Sequence, residues 1–191
     1  MDYLSNLDSK LFLFLNGLHT GWMDKVMTLI TDMWIWFPLY LLLIYWIAKQ
    51  YSKRGWWVFI AACVVVLCSD QLSSHVFKPV FQRLRPCFNE SFEGLIHLPK
   101  GLAGGRFSFT SSHAANTFSI ATFLTAALCR FRPWAAIFLF FWAFVSSYSR
   151  IYIGFHYPGD IVCGAILGAL VGLVIWKLFQ IVQKKVWKSE Q

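Results

Sequence analysis

Long apolar segments separated by shorter polar connections run through most of this chain. A transmembrane helix needs about 20 predominantly apolar residues to cross the roughly 30 Å hydrocarbon layer of a bilayer. Five windows close to this length are present, at about 26–48, 56–77, 114–129, 134–149 and 159–181. The pattern predicts an all-α fold, a polytopic membrane helix bundle with about five transmembrane helices.

The first 24 residues follow a different pattern, in which apolar side chains recur at the spacing of one helix face. These residues are Leu4, Leu7, Leu11, Phe14, Leu15 and Leu18. Asp8, Lys10 and Asn16 interrupt them, as in a helix that lies along a membrane surface rather than across it. We therefore expect an amphipathic interfacial helix over 1–24, within a single membrane domain over 1–191.

The composition agrees with a membrane protein, since 58% of the 191 residues are hydrophobic, 19% are aromatic and 14% are charged. Soluble domains have about 25% charged residues, so this chain has too much apolar surface for one small soluble core. The same figures exclude intrinsic disorder, a coiled coil and a secreted disulfide scaffold. The cysteines and histidines show no zinc-type spacing, and we expect no metal and no other cofactor.

The net charge of +8 is distributed unequally along the chain. The connections at 49–55 and 130–133, together with the region from Lys177 onward, contain nine of the 17 basic residues but one of the nine acidic residues. Cytoplasmic ends of transmembrane helices carry such an excess of Lys and Arg. We therefore expect these connections and the basic tail at 182–191 to face the cytoplasm. The charge does not require nucleic acid as a partner.

The opposite face holds the long connection at 79–112, and polar clusters there mark the ends of consecutive spans. A connection of 34 residues is longer than folding needs, and such loops are commonly functional. The clusters are Lys78 to Pro86, Thr110 to His113, and Ser149-Arg150 with His156 to Asp160. We expect all three clusters to meet on the outward face.

The basic and hydroxyl residues of these clusters suit a tetrahedral oxyanion such as phosphate. Lys78 supplies a point charge, and Arg85 and Arg150 supply planar guanidinium groups that bind phosphate through paired hydrogen bonds. Ser111 and Ser112 open the third span, where free backbone N–H groups and the helix dipole also attract an anion. These five residues are candidate phosphate ligands.

Two histidines in the same clusters differ in their neighbours. Asp160 follows His156 by four residues, and Pro158 suits the first position of a helix, so the carboxylate can accept the Nδ1 proton of His156. Nε2 of His156 is then free to attack phosphorus. His113 has no such carboxylate in sequence, and it suits protonation of the leaving oxygen followed by activation of water.

The motifs Lys-x6-Arg-Pro, Ser-x-His and Ser-Arg-x5-His-x3-Asp resemble the three-part signature of the type 2 phosphatidic acid phosphatase family, the membrane relatives of vanadium haloperoxidases. The resemblance implies metal-independent hydrolysis of lipid phosphates through a phosphohistidine. It makes His156 the nucleophile, Asp160 its partner and His113 the acid. The residues that it assigns to the phosphate are Lys78, Arg85, Ser111 and Arg150.

One position departs from the signature, and one acidic residue lies inside a predicted span. The family's second motif usually reads Pro-Ser-Gly-His, whereas this chain has Ser112 in place of the glycine, and we expect Ser112 to influence substrate choice. Asp70 shares a helical stripe with Ser74 and Lys78. Because intramembrane acids are costly, we expect Asp70 either to help position Lys78 or to bond to a neighbouring helix.

Three glycines recur at four-residue spacing in the last predicted span: Gly164, Gly168 and Gly172. Small residues at this spacing allow helix backbones to approach closely. The spacing favours packing inside the chain over packing between two copies.

The sequence therefore predicts a multi-pass enzyme of a bacterial-type inner or plasma membrane, with its active site on the periplasmic or extracellular face and its C-terminus in the cytoplasm. It removes the terminal phosphate of a lipid phosphate or diphosphate, and its partners are that lipid and the bilayer. Undecaprenyl diphosphate is placed first, followed by phosphatidylglycerol phosphate, phosphatidic acid and lipid A phosphate. Two alternatives stay open: a phosphotransferase that passes the phosphoryl group to a second lipid, and a non-enzymatic lipid-phosphate binder.

Overall fold

The chain folds as a bundle of α-helices in the computed structural model, which describes residues 2–101, 104–128 and 133–188. The helices are α1 Asp2–Gly17, α2 Gly21–Thr31, α3 Phe37–Tyr51, α4 Gly55–Gln71, α5 Lys78–Phe81, α6 Ser112–Leu128, α7 Pro133–Tyr152 and α8 Pro158–Lys188. No β-strand occurs among these residues, where one isolated bridge joins Leu84 to Phe107. The predicted all-α class is confirmed.

The N-terminal region contains two helices where the sequence predicted one. The expected boundary at residue 24 is wrong, because α1 ends at Gly17 and α2 begins at Gly21. Asn16 accounts for the break, since its buried side-chain amide donates to the backbone carbonyls of Ile151 and Tyr152 at 3.3 and 2.8 Å. These bonds attach the end of α1 to the end of α7.

One face of α1 is apolar and exposed, as expected for a helix at a membrane surface. Leu4 is 72% exposed and Phe14 is 64% exposed, whereas Phe12 on the other face is fully buried. Its aromatic ring packs against those of Phe92 and Tyr157. The interfacial position of α1 stays a prediction.

Within the described residues, three helical stretches are long and apolar enough to cross a membrane, judged by length and composition: 33–81, 133–152 and 158–185. The first stretch contains α3 and α4, which contact each other across the short 3₁₀ turn Ser52–Arg54. The predicted first span at 26–48 is displaced, since the helix breaks at Asp32 and the apolar stretch starts at Met33. The count of five crossings stays a prediction.

The centre of the bundle is α6, which packs against α4, α7 and α8. The glycine stripe of α8 faces α6: a Cβ at Gly164 would lie 2.6 Å from the carbonyl oxygen of Ser111, and one at Gly172 would lie 2.6 Å from that of Ser119. A Cβ at Gly168 would overlap the carbonyl of Ala115. Packing of this stripe inside the chain is confirmed, and it sets the distance between the first turns of α6 and α8.

Two predicted boundaries move because helices extend further than the apolar windows. A π-helical segment, Leu72–Phe77, continues α4 into α5, so the long connection begins at Gln82 rather than at residue 79. Helix α8 continues to Lys188, so most of the predicted tail at 182–191 is helical. The predicted cytoplasmic turn with Arg130 and Arg132 lies outside the described residues, as does Glu190 in the tail.

Candidate active site

The predicted site residues come together at one end of the bundle. Those predicted to bind phosphate or take part in catalysis lie on α5, on the connection after it, at the start of α6, at the end of α7, on the connection between α7 and α8, and in the first turn of α8. The backbone N–H of Ser111 donates to the carbonyl of Asp160 at 3.2 Å, which joins the first turns of α6 and α8. The guanidinium groups of Arg85 and Arg150 lie 5.5 and 5.2 Å from the ring centre of Phe155. All three sequence motifs therefore contribute to one site.

His156 and Asp160 form a buried pair. His156 is 2% exposed and Asp160 is fully buried, with 3.5 Å between His156 Nδ1 and Asp160 Oδ2. This distance is at the outer limit of a hydrogen bond, as catalytic contacts often are without substrate. Burial lowers the pKa of His156 to about 4, although Asp160 opposes that shift. The imidazole is therefore neutral near pH 7 and keeps a lone pair for attack.

The short connection between α7 and α8 positions this pair. Gly154 has φ +78°, a left-handed conformation that favours glycine. The side chain of Leu98 packs where a Cβ of residue 154 would lie. The N–H groups of Phe155 and His156 both donate to the carbonyl of Arg150, at 2.9 and 3.2 Å. Asp160 then accepts from the backbone N–H of Tyr157 at 2.9 Å, as a capping carboxylate does in a first helical turn.

His113 lies in the first turn of α6, and its Nε2 is 2.8 Å from the hydroxyl oxygen of Ser146 on α7. With Nε2 engaged, Nδ1 is the ring nitrogen left to exchange a proton. Ser146 is buried, and the sequence analysis did not identify it because a single serine inside an apolar span carries no motif.

The two arginines donate hydrogen bonds to neutral groups. Arg85 is 6% exposed, and its Nε donates to the carbonyl of Phe107 at 3.3 Å. Burial lowers the pKa of Arg85 from its usual value, but an arginine remains charged at neutral pH. Arg150 donates from Nη1 to the hydroxyl of Thr31 at 2.7 Å, and its buried Nε has no hydrogen-bond partner within the described residues. Arg150 therefore suits an anion that supplies the missing acceptor.

Lys78 is held by a cluster of serine hydroxyls, which we call the serine cluster: Ser73, Ser74 and Ser112. The Lys78 ammonium donates to Ser112 Oγ at 2.8 Å, and the hydroxyls of Ser73 and Ser74 each lie 3.0 Å from the same oxygen. Ser73 and Ser74 belong to the π-helical segment, a distortion that is frequent at functional sites. The residue that replaces the family's glycine therefore contacts the predicted phosphate lysine directly.

Ser111 and Asp70 have structural partners. Ser111 is fully buried, and its hydroxyl accepts from the N–H of Ala114 at 3.3 Å, as an N-cap does. Asp70 accepts from the side-chain amide of Asn116 on α6 at 3.3 Å, which is the bond to a neighbouring helix that the sequence left open. The roles of Ser111 on phosphate and of Asp70 on Lys78 stay predictions.

The sequence did not point to two charged residues next to the His156–Asp160 pair. Arg83 lies 3.0 Å from Asp160, and Asp8 of α1 lies 2.7 Å from Arg83. Arg83 precedes Arg85 by two residues within the first motif, so its position was a usable signal. Asp8 offered none, because in sequence it is an acid that interrupts an apolar helix face.

Apolar helices surround a buried imidazole–carboxylate pair beside two arginines and a lysine, and this combination is that of a membrane protein acting on a phosphate ester. Residues 56–184 match the PAP2 superfamily. The chain belongs to this family.

Relatives and solved structures agree with the assignment. The chain is 38% identical to a lipid A 4'-phosphatase of Bacteroides thetaiotaomicron over 96% of this chain and 80% of the relative. It is 29% identical to an undecaprenyl-diphosphatase of Sulfolobus acidocaldarius over 74% of this chain and 62% of the relative. The crystal structure of a PAP2 type phosphatidylglycerolphosphate phosphatase from Bacillus subtilis superposes with a TM-score of 0.68 at 21% identity, covering 97% of this chain and 89% of that one. The last match supports the fold alone.

The chain is thus a multi-pass membrane protein and a lipid phosphatase. The predicted family and enzyme class are confirmed.

Proposed function

We propose that this phosphatase removes the 4'-phosphate of lipid A through a phosphohistidine on His156. The observation that carries the mechanism is the buried His156–Asp160 pair beside Arg85 and Arg150, because it combines a neutral nucleophile with cationic ligands. The substrate rests on the relatives' names. The lipid A 4'-phosphatase aligns over 96% of this chain, against 74% for the undecaprenyl-diphosphatase, so lipid A replaces undecaprenyl diphosphate as the first candidate.

In the first step, the Nε2 lone pair of His156 forms a bond to phosphorus as the bond from phosphorus to the lipid oxygen breaks. The departing oxygen takes a proton from His113, and Asp160 stabilises the positive charge that develops on His156. Arg85, Arg150 and Lys78 bind the phosphoryl oxygens, whose charge is spread in the transition state.

In the second step, water attacks phosphorus, the bond from phosphorus to His156 breaks, and His113 accepts the proton of the water. Inorganic phosphate is released, and both histidines return to their starting states. The sum is hydrolysis of one phosphate ester, with no metal or other cofactor as a participant.

The site lies at the end of the bundle opposite the basic connection at Ser52–Arg54, which favours an outward-facing site and a cytoplasmic C-terminus. The lipid then enters sideways from the outer leaflet, so that its acyl chains remain in the bilayer. Two reporter enzymes fused after Gln191 test this orientation. A reporter that works only in the cytoplasm should be active, and one that works only after export should be inactive.

The decisive experiment measures phosphate release by the purified protein in detergent with EDTA. The substrates are lipid A, undecaprenyl diphosphate, phosphatidylglycerol phosphate and phosphatidic acid. We expect release to be fastest from lipid A, to be abolished in His156→Ala and to be unchanged in His75→Ala, an exposed histidine outside the site. Faster release from another lipid would overturn the substrate, and full activity of His156→Ala would overturn the nucleophile.

A second measurement distinguishes hydrolysis from transfer. Lipid A carrying labelled phosphate is incubated with an unlabelled acceptor lipid, and the label is followed into water and into lipid. Label recovered as inorganic phosphate supports the hydrolase, whereas label recovered in the acceptor lipid shows a phosphotransferase.

A further inference from the structure

A chain of charged contacts continues beyond the His156–Asp160 pair to the N-terminal helix. Arg83 Nη1 lies 3.0 Å from Asp160 Oδ1, and Arg83 Nη2 lies 2.7 Å from Asp8 Oδ2. The side chain of Asp160 is fully buried, whereas those of Arg83 and Asp8 are 26% and 15% exposed. One guanidinium thus joins a carboxylate of α1 to the carboxylate that faces the nucleophile.

Packing fixes the guanidinium between the two carboxylates. It stacks over the ring of Tyr157 with 3.7 Å between its central carbon and the ring centre. Tyr157 is buried, and its hydroxyl accepts from the side-chain amide of Asn89 at 3.2 Å. Arg83 is therefore held in one orientation by an aromatic face as well as by charge.

Asp8 contacts the start of α8 as well as Arg83. Its Oδ1 accepts from the backbone N–H of Gly159 at 2.7 Å, next to Asp160 in sequence. A Cβ at position 159 would lie 2.8 Å from Asp8 Oδ2, so the glycine leaves room for this carboxylate. Asp8 thus contacts both the guanidinium and the helical turn that carries Asp160.

The two oxygens of Asp160 have separate partners, and this division orients the carboxylate. Oδ1 faces Arg83, while Oδ2 faces the N–H of Tyr157 and Nδ1 of His156. Nδ1 of His156 makes no ordinary hydrogen bond within the described residues, and Oδ2 lies 3.5 Å from it. Holding Oδ1 therefore keeps Oδ2 as the acceptor opposite Nδ1, which favours the proton on Nδ1 and the lone pair on Nε2. Asp8 offsets the positive charge of the guanidinium, so that the net charge of the three groups beside His156 is negative and can stabilise a cationic imidazole.

We propose that Arg83 and Asp8 are positioning residues for the nucleophile, acting through Asp160. This inference rests on the proposed role of His156. Carboxylates engage both terminal nitrogens of Arg83, through Asp8 on one side and Asp160 on the other. A role in setting the tautomer of His156 therefore fits Arg83 better than a role as a phosphate ligand.

The test uses full-length Asp8→Asn, Arg83→Gln, Arg83→Lys and the Asp8→Asn/Arg83→Gln double variant, with lipid A in detergent micelles. We expect kcat to fall about 10-fold in Asp8→Asn and about 100-fold in Arg83→Gln, as for other partners that orient a catalytic histidine, with KM within about twofold of the parent. The Lys variant should be intermediate, because lysine cannot bridge both carboxylates in the same geometry. The double variant should be no slower than Arg83→Gln, since both residues act through Asp160.

The matched control is Lys10→Gln, an exposed charge on the same helix as Asp8, which should retain the parent kcat. A raised KM at unchanged kcat in Arg83→Gln would show that Arg83 binds substrate instead. Unchanged kinetics in all variants, or a double variant slowed by the product of the single effects, would also overturn the proposal.

A readout independent of turnover separates this inference from the proposed function. In protein labelled with 15N-histidine, the ring shifts of His156, assigned with His156→Ala, report its tautomer. We expect the Nδ1–H tautomer in the parent and a mixture in Arg83→Gln. An inactive parent with this tautomer change would refute the proposed function alone, while unchanged shifts in Arg83→Gln would refute positioning. If Arg83→Gln does not fold, the same kinetics and ring shifts are measured in Asp8→Asn, which keeps Arg83 and replaces Asp8 with a side chain of similar volume.

Discussion

The contact between α6 and α8 gives a sharp prediction, because the site depends on the spacing of these two helices. Gly168→Ala adds one methyl group where the backbone of Ala115 already lies, with the carbonyl carbon and Cα at 2.9 and 3.0 Å from the new Cβ. Ordinary carbon contacts are about 3.5–4.0 Å, so the helices must separate by roughly 1 Å. The contacted atoms are backbone and have no alternative rotamer.

The magnitude follows from two opposing terms. Overpacking of this kind costs about 3 kcal/mol, at the upper end for one methyl group, and the better helix propensity of alanine offsets about 1 kcal/mol of it. The net loss of about 2 kcal/mol corresponds to a decrease in Tm of about 4–8 °C for a chain of this size. We also expect a lower kcat, since the first turns of α6 and α8 carry Ser111, His113 and Asp160.

The assay is thermal unfolding in detergent followed by tryptophan fluorescence, with Gly21→Ala as the matched control. A Cβ at Gly21 would meet no atom within 4 Å, so the same substitution there should leave Tm unchanged or slightly higher. If Gly168→Ala and Gly21→Ala unfolded at the same temperature, the argument from close backbone approach would be refuted.

Two further predictions concern the site. Ser112→Ala removes the hydroxyl that accepts from Lys78 at 2.8 Å. Because the Ser74 hydroxyl next to it can replace part of that contact, we expect kcat/KM to fall only about 10-fold. Ser91→Ala is the control, since Ser91 is exposed and its loss should have no effect. The pKa of about 4 for His156 predicts that its 15N shifts remain those of a neutral ring down to about pH 5, where a histidine of ordinary pKa is mostly charged. The unfolded chain binds that proton below about pH 6.5 and the folded chain does not, so His156 makes the free energy of unfolding decrease as pH falls from 6.5 towards 4. Chemical denaturation of His156→Gln should lack this decrease. An equal decrease in both proteins would contradict the prediction.

Local sequence was sufficient for parts of the site that depend on residues close in the chain. The step of four from His156 to Asp160, with Pro158 between them, predicted that the two side chains lie close together. In the structure Pro158 begins α8, His156 lies just before that helix and Asp160 lies in its first turn. The glycine spacing in α8 likewise indicated close packing, since residues four apart share a helix face. The break after α1 was not predictable from the apolar pattern, because it depends on bonds from Asn16 to α7.

The sequence by itself determined the membrane character, the helical class and the set of candidate residues for binding and attacking phosphate, because hydropathy, helical period and motif spacing are properties of short segments. Only the tertiary structure decided which polar groups meet across distant segments. Arg83 and Asp8 are 75 residues apart in the sequence but form an ion pair. Lys78 meets Ser112 because α4 and the π-helical segment after it pack against α6. A buried charge is costly without an oppositely charged or hydrogen-bonding partner. Which group becomes that partner depends on how the helices pack, so it cannot be read from spacing along the chain.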